Sequence, residues 1–263
     1  MGFHYIEEEL KVYHFFVESS QVSPDCKVVE ITGSDFNHIA NVLRMKVGEQ
    51  FSVSIRQEEE SRELFYEIEE ITDSSVIGKL CFIEEVGNEL PSKIFLFQGL
   101  PKVDKMELII QKAVELGAFK IIPMSTKRCI VKLDEKKSQA KQKRWQAISE
   151  AAAKQSKRAI IPEVALPVTM KQAVEMCKNE NIDVRLIPYE MAKDISVTKN
   201  IIDGINPGQS IAVFIGPEGG FSEEEIQLCL DNDIKPITLG KRILRTETAG
   251  FTAISWLMYH LES

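Results

Sequence analysis

Two short stretches hold residue types that could grip a ligand and act on it. The first is "GPEGGFSEEE", residues 216 to 225, directly after the apolar run Ile211-Ala212-Val213-Phe214-Ile215. Gly216, Gly219 and Gly220 permit positive φ and a close backbone approach. Pro217 stiffens the turn, and Ser222 with Glu225 forms the S-x-x-E pattern of a helix capping box. The stretch is neither a P-loop, which ends in Lys-Ser/Thr, nor a G-x-G-x-x-G turn. The second is "LGKRILRTETAG", residues 239 to 250. It sets apolar Ile243 and Leu244 among cationic Arg242 and Arg245, with Thr246-Glu247-Thr248 behind them. Such a mixture suits a ligand that is partly flat and apolar and partly polar. Backbone groups can read a purine edge while Ile243 and Leu244 cover its faces. Taken singly, a glycine turn after a strand is also explained as a plain connection to a helix.

The elements that must position these loops follow from pattern. The 263 residues suggest two domains. Residues 13 to 86 read as short strands, "YHFFVE", "KVVEIT", "QFSVSI", "LFYEIEEIT" and "SVIGKLCFIEEV", rich in β-branched and aromatic residues. One helix interrupts them, "SDFNHIANVLRM", with Ser34 as N-cap and Phe36, Ile39, Ala40 and Leu43 as its stripe. A small barrel is expected. "VGNELPSK", residues 86 to 93, reads as the boundary. Beyond it strands alternate with helices: "KIFLFQGL", a helix over 104–117, "FKIIPM", "RCIVKL", a helix over about 138–157, "IIPEV", a helix over 169–180, "VRLIPY", "SIAVFIG", a helix over 222–232, "KPITLG" and a last helix over about 246–261. Such alternation predicts a mainly parallel sheet covered on both faces, with ligands beyond the carboxyl ends of its strands. Helix 104–117 should be capped by Asp104, with Glu107 completing a capping box, and should end at Gly117.

The formal net charge is −8, which by itself argues against a nucleic-acid partner. Residues 127 to 158 reverse that locally: eleven Lys or Arg against three acids give +8, leaving −16 for the rest. Screening beyond roughly 8–10 Å lets such a band bind phosphates on an acidic protein, although a charge run also reads as a solvated helix face. The five cysteines are scattered without a C-x-x-C pair, so reduced thiols in a cytoplasmic protein are expected. The N-terminus lacks the basic start and apolar core of a signal peptide, and no apolar run approaches the roughly 18 residues of a membrane helix. His4, His14, His38 and His260 cluster with nothing, so no metal is suggested.

"GPEGGFSEEE" paired with "LGKRILRTETA" resembles the C-terminal motifs of SPOUT-superfamily methyltransferases, and within them the ribosomal RNA small-subunit methyltransferase E family. "QGLPKVDKMELIIQKAVELG" with "IIPMSTKR", "KRWQAISEAAAKQSKRAIIPEV" and, near the N-terminus, "HIANVLRMKVGE" are similar to further blocks of that family. The resemblance runs from about residue 13 to the C-terminus. Two positions depart from the pattern. Val12 stands near where such chains begin, making residues 1–12 an N-terminal extension of uncertain role, and Lys127 stands where an acid is usual.

The resemblance implies a PUA-like β-barrel over 13–88 that helps hold RNA, and a SPOUT α/β domain over 93–263 with a parallel sheet and a C-terminal trefoil knot. It implies a homodimer that binds S-adenosyl-L-methionine and methylates N3 of one uridine near the 3′ end of 16S ribosomal RNA, acting on the small subunit. The residues matching the cofactor motifs are Ile215, Gly216, Pro217, Glu218, Gly219, Leu239, Gly240, Ile243, Leu244 and Thr248, with Pro188 to Glu190 closing a third side. Uracil N3 is a poor nucleophile until its proton leaves. Arg245 is the expected charge stabiliser and Glu247 or Glu218 the base; a buried ion pair organising the loop is the alternative for these residues. Arg128, Arg144, Lys154, Gln155 and Arg158, with His38 and Arg44 of the first module, are expected at RNA. Trp145 reads as helix core. A different RNA, such as tRNA or large-subunit RNA, is the alternative substrate. A nucleotide-dependent oxidoreductase fails for want of G-x-G-x-x-G after the first strand, and a non-catalytic RNA-binding module predicts degraded cofactor loops, whereas both loops are intact.

Overall fold

A computed structural model describes residues 12–56, 62–85, 88–102 and 105–263. The chain divides into two compact units, residues 1–88 with 157–160, and residues 89–156 with 161–263.

The first unit is built on β1 (Tyr13–Val17), β2 (Val28–Thr32), β3 (Gln50–Ile55), β4 (Arg62–Ile71) and β5 (Ser75–Glu85), in spatial order β1-β3-β4-β5-β2. Among the described strands of this unit only β1 and β3 pair in parallel. Alternate residues of these strands, among them Phe15, Val29, Ile31, Phe51, Val53, Leu64, Tyr66 and Ile68, form one buried cluster. Gly78 is required there: a Cβ would lie 2.7 Å from Phe51 and 2.9 Å from Val29. The helix expected from Ser34 begins earlier, as α1 (Gly33–Asn37). Gly33, at φ +65, turns the chain straight out of β2, so Ser34 falls inside the first turn rather than at the cap. The chain then widens into a π-type turn over His38–Leu43 that ends at Arg44 in the left-handed region. Ile39 is buried, with Phe36 and Leu43 packed beside it.

The second unit is a parallel sheet in the order β12-β10-β11-β6-β7-β8. Its strands are β6 (Ile94–Gly99), β7 (Ala118–Ser125), β8 (Glu163–Val164), β9 (Val168–Thr169, paired with β7), β10 (Val184–Pro188), β11 (Ile211–Ile215) and β12 (Lys235–Ile237). Its helices are α2 (Lys105–Glu115), α3 (Glu135–Gln155), α4 (Met170–Asn179), α5 (Ile195–Asp203), α6 (Glu223–Leu230) and α7 (Thr246–Leu261). The central strands β6 and β11 are buried throughout, as two-sided burial requires of near-continuous apolar runs. On one face Phe97 and Phe214 stack at 4.5 Å among side chains of α4 and α6. On the other, α7 lies over β6 and β11, with Gly250 against Gln98 and Ile215.

Four expectations change. "RCIVKL" is not a strand, because β8 and β9 occupy the β7 edge it would need. α5 is an unexpected helix: Asp194 caps it, while its β-branched composition hides it. β12 stops at Ile237, where the Thr238 amide turns to the Thr198 hydroxyl instead of the sheet. α3 starts at Glu135, since the Asp134 carboxylate caps the Lys137 amide at 2.8 Å. The Asp104 cap lies outside the described residues. α2 itself buries Met106, Ile109, Ile110, Ala113 and Val114. Burial pushes the thiols of Cys177 and Cys229 up to about 12.

Candidate active site

All strands of the second sheet are parallel, so the carboxyl ends of β6, β10, β11 and β12 open on one side. The loop after β11 is fixed from within and from both neighbours. Gly220, at φ +66, closes a turn onto the Pro217 carbonyl at 2.8 Å. Ser222 and Glu225 exchange capping bonds at 3.3 and 2.9 Å. The other Glu225 oxygen accepts the Lys127 amide at 2.8 Å, which ties the segment after β7 to this loop. Arg128 then donates to the Gly219 carbonyl at 2.9 Å. From β6, Gly99 lies so near Pro217 that a Cβ would sit 2.6 Å from its Cδ.

The loop before α7 is clasped to the same frame. Gln98, fully buried, donates through Nε2 to Thr246 Oγ1 and to the Gly99 carbonyl, both at 2.9 Å. The Thr246 hydroxyl donates in turn to the Gly216 carbonyl at 2.6 Å. One amide at the end of β6 thus sets the register of two loops far apart in sequence.

A third tie is ionic. Lys105 Nζ lies 3.2 Å from Glu247 Oε2 and 3.5 Å from Glu218 Oε1, and both Glu218 oxygens accept the Lys102 amide, at 3.1 and 3.3 Å. Partial burial would raise the Glu218 carboxyl. Hydrogen bonds from its own amide and that of Lys102, together with the Lys105 charge, outweigh this and hold it below the usual carboxylate range.

These loops enclose a cavity of about 1120 Å³, lined by residues 188–190, 192, 193, 195, 215–221, 238–246 and 249, with Lys105 and Arg128. The cavity is large enough for a nucleoside-sized ligand. Its lining includes Ile215, Gly216, Pro217, Glu218, Gly219, Leu239, Gly240, Ile243 and Leu244, with Pro188, Tyr189 and Glu190 on a further side. Thr248 is exposed and outside that lining. Ile243 is 96% exposed, so in a single chain it covers no neighbour. Arg245 lines the cavity, and Glu247 reaches it through Lys105. The lining holds Lys105, Arg128, Lys193, Lys241, Arg242 and Arg245 against two acids, Glu190 and Glu218, a positive mouth on an acidic protein.

Comparison with known proteins fits this geometry. The RNA methyltransferase domain family matches residues 88–258, and the RNA methyltransferase PUA domain family matches residues 31–81. The ribosomal RNA small subunit methyltransferase E of Bacillus subtilis is 36% identical over 255 residues, covering 94% of this chain and 96% of that protein. The chain belongs to the ribosomal RNA small subunit methyltransferase E family. A putative methyltransferase from Legionella pneumophila, solved with the bound cofactor SAM, superposes with a TM-score of 0.77 at 33% identity, over 95% of this chain and 98% of that one. The Neisseria gonorrhoeae ribosomal RNA small subunit methyltransferase E, bound to S-adenosyl methionine, gives 0.75 at 28%, over 93% and 96%.

In this methyltransferase the residues expected at RNA fall in several places. Arg128 is part of the cavity wall. Arg144 pairs with Glu107 of α2 at 2.8 Å, and Lys154 with Glu150 one turn back at 3.1 Å. Gln155 is exposed at the end of α3. Arg158 is 3% exposed and belongs to the first unit, so its guanidinium is not on open surface. His38, edge-on to Phe15, and Arg44 are exposed in the first unit. Trp145 is buried, 3% exposed. Two residues that organise the site were not singled out from sequence, Gln98 and Lys105. The signal for Gln98 was available, an amide closing a strand otherwise apolar from Ile94 to Phe97. No group of three or more His, Cys, Asp or Glu among the described residues could hold a metal ion, and no helix there is long and apolar enough to cross a membrane.

Proposed function

We propose that this chain methylates N3 of one uridine near the 3′ end of 16S ribosomal RNA, using S-adenosyl-L-methionine, with the small subunit as substrate. The observation that carries this reading is the joining of the two glycine-bearing loops across one cavity at the carboxyl ends of β11 and β12, in a member of an RNA methyltransferase family. The lining fits the cofactor. Ile215, Leu239 and Leu244 supply apolar walls, residues 216–219 supply backbone, and beside Gly240, at φ +104, a Cβ would project into open space. S-adenosyl-L-methionine supplies an activated methyl group there. The protein's part is to place the target base against it, to exclude water and to manage the N3 proton. Arg245 and Lys105 offer positive charge, and Glu247 and Glu218 are the proton acceptors within reach of Lys105.

Residues 13–88 form a PUA-like RNA-binding domain. Residues 93–263 form a SPOUT domain whose loops 215–221 and 238–246 belong to a C-terminal trefoil knot. The working unit is a homodimer in the cytoplasm, and Ile243, 96% exposed at the rim of the cavity, supports a partner surface there. RNA is held by the positive mouth, by Arg128, Arg144, Lys154 and Gln155, and by His38 and Arg44.

The test is methyl transfer from labelled S-adenosyl-L-methionine to small subunits lacking the modification, mapped by reverse transcription. A methyl on N3 blocks Watson–Crick pairing, so one strong stop near the 3′ end of 16S RNA is expected. Transfer to another RNA, or none by protein that binds the cofactor, would overturn the assignment.

A further inference from the structure

Lys105 lies outside every glycine motif, yet it is the cation that both candidate bases share. Its ammonium has three donors. One points at Glu247 Oε2 and a second at Glu218 Oε1. The side chain is 30% exposed and lines the cavity, which leaves the third donor for whatever enters. Arg245 also lines the cavity, but it is exposed and has no carboxylate partner among the described residues. A charge that stabilises a transition state works best when it is already held in place, and here Lys105 is held while Arg245 is not. The two acids also differ. Both Glu218 oxygens accept the Lys102 amide besides facing Lys105, whereas Glu247 has one side-chain contact among the described residues, through Oε2, and is 14% exposed.

We propose that Lys105 is a catalytic residue whose ammonium hydrogen-bonds a carbonyl oxygen of the target uracil while Glu247, behind Lys105 and outside the cavity lining, takes the N3 proton through one intervening water. The electron pair of the N3–H bond becomes the new bond to the methyl carbon. The methyl's old bond to sulfur breaks, its electrons remain on sulfur, and the proton stays on Glu247 until it passes to water. Lys105 offsets the negative charge that gathers on the uracil oxygens as the proton departs. Glu218, with its Lys102 contact, keeps the ammonium aimed. This assignment rests on the uracil-N3 methyltransferase reading above.

The experiment compares the full-length protein with Lys105→Met and Lys105→Arg. Single-turnover methyl transfer to unmodified small subunits is read beside the S-adenosyl-L-methionine dissociation constant from calorimetry. Loss of one positioned charge-stabilising donor is expected to lower the rate of Lys105→Met by about 10²–10³-fold, with the cofactor constant changed less than about threefold. Lys105→Arg should recover at least about tenfold of that loss. A Lys105→Met rate within about threefold of the parent overturns the assignment. So does a tenfold or greater loss of cofactor binding, which makes Lys105 a loop-organising ion pair. Should Lys105→Met not fold, Lys105→Gln is read by the same two measurements, and failure of both to fold also assigns the lysine to structure. A parent protein that transfers no methyl to the subunits sinks the proposed function itself, whereas an active parent with an equally active Lys105→Met sinks only this inference.

Discussion

Replacing Thr246 by valine tests whether one hydroxyl really joins the two cofactor loops. The side chain keeps its volume but loses a bond accepted from Gln98 Nε2 at 2.9 Å and a bond donated to the Gly216 carbonyl at 2.6 Å. Thr246 is 5% exposed and Gln98 fully buried, so the stranded amide hydrogen finds no water. A buried polar group without its partner costs about 1–3 kcal/mol. Gly216 is only half-buried, so its carbonyl contributes toward the lower end. Thr246→Val should therefore destabilise the second unit by about 2–4 kcal/mol. Urea unfolding followed by tryptophan fluorescence isolates that unit, since Trp145 and Trp256 both lie in it. Gln98→Leu removes the donor instead, and the double variant removes both ends. The double variant still strands the Gly216 and Gly99 carbonyls but leaves neither end of the Gln98–Thr246 bond unpaired, so it should be less destabilised than the two singles added together. A coupling of about 1–2 kcal/mol is expected, inside the range for residues in direct contact. Additivity within about 0.5 kcal/mol, or a Thr246→Val cost below that figure, would refute the clasp.

Gly99→Ala places a Cβ 2.6 Å from Pro217 Cδ and 2.7 Å from its nitrogen. The β11 loop must move, so cofactor affinity by calorimetry should fall at least about tenfold, as overpacking costs about 1–3 kcal/mol. Glu225→Ala leaves the Lys127 and Ser222 amides without their acceptor and should lower the melting temperature of the second unit more than Glu224→Ala, whose 3.4 Å pair with Lys127 is exposed. At Glu63, burial would raise the carboxyl, but hydrogen bonds from His14 and Ser52 and the charges of His14 and Lys157 hold it below its ordinary 4.5. A depressed carboxylate contributes stability that is fully present above 4.5 and lost as pH falls through the folded value. Glu63→Gln should flatten that part of the acid unfolding curve. Cys81 is exposed while Cys177 and Cys229 are buried with thiols near 12, so iodoacetamide at pH 8 should label Cys81 in the native protein and the other two only after unfolding.

What could be read from the sequence divides along a physical line. Local signals survived: the Ser222–Glu225 capping box, the fully buried run of β11 and the span of α7 are each decided by residues a few positions apart. Failures came where a distant partner decides the outcome. "RCIVKL" has strand composition, but Glu163 to Thr169 hold the β7 edge it needed. α5 is rich in β-branched residues, and its helix rests on the Asp194 cap and on burial of Thr198 and Ile202. The basic band between 127 and 158 is legible as charge, yet Arg144 and Lys154 are already paired with acids on their own or a neighbouring helix. The cavity draws its cations from four separate stretches, at residues 105, 128, 193 and 241–245, of which only Arg128 belongs to that band. No window of sequence contains them together. The same reason explains Gln98 and Lys105. Each does its work through a residue more than 110 positions away, Thr246 in one case, Glu218 and Glu247 in the other. A glycine loop announces itself because its backbone geometry is local. The side chains that hold such a loop to its neighbour leave at most a single odd residue, as Gln98 does at the end of an apolar strand, and their partners emerge only when the sheet brings the carboxyl ends of β6 and β11 side by side.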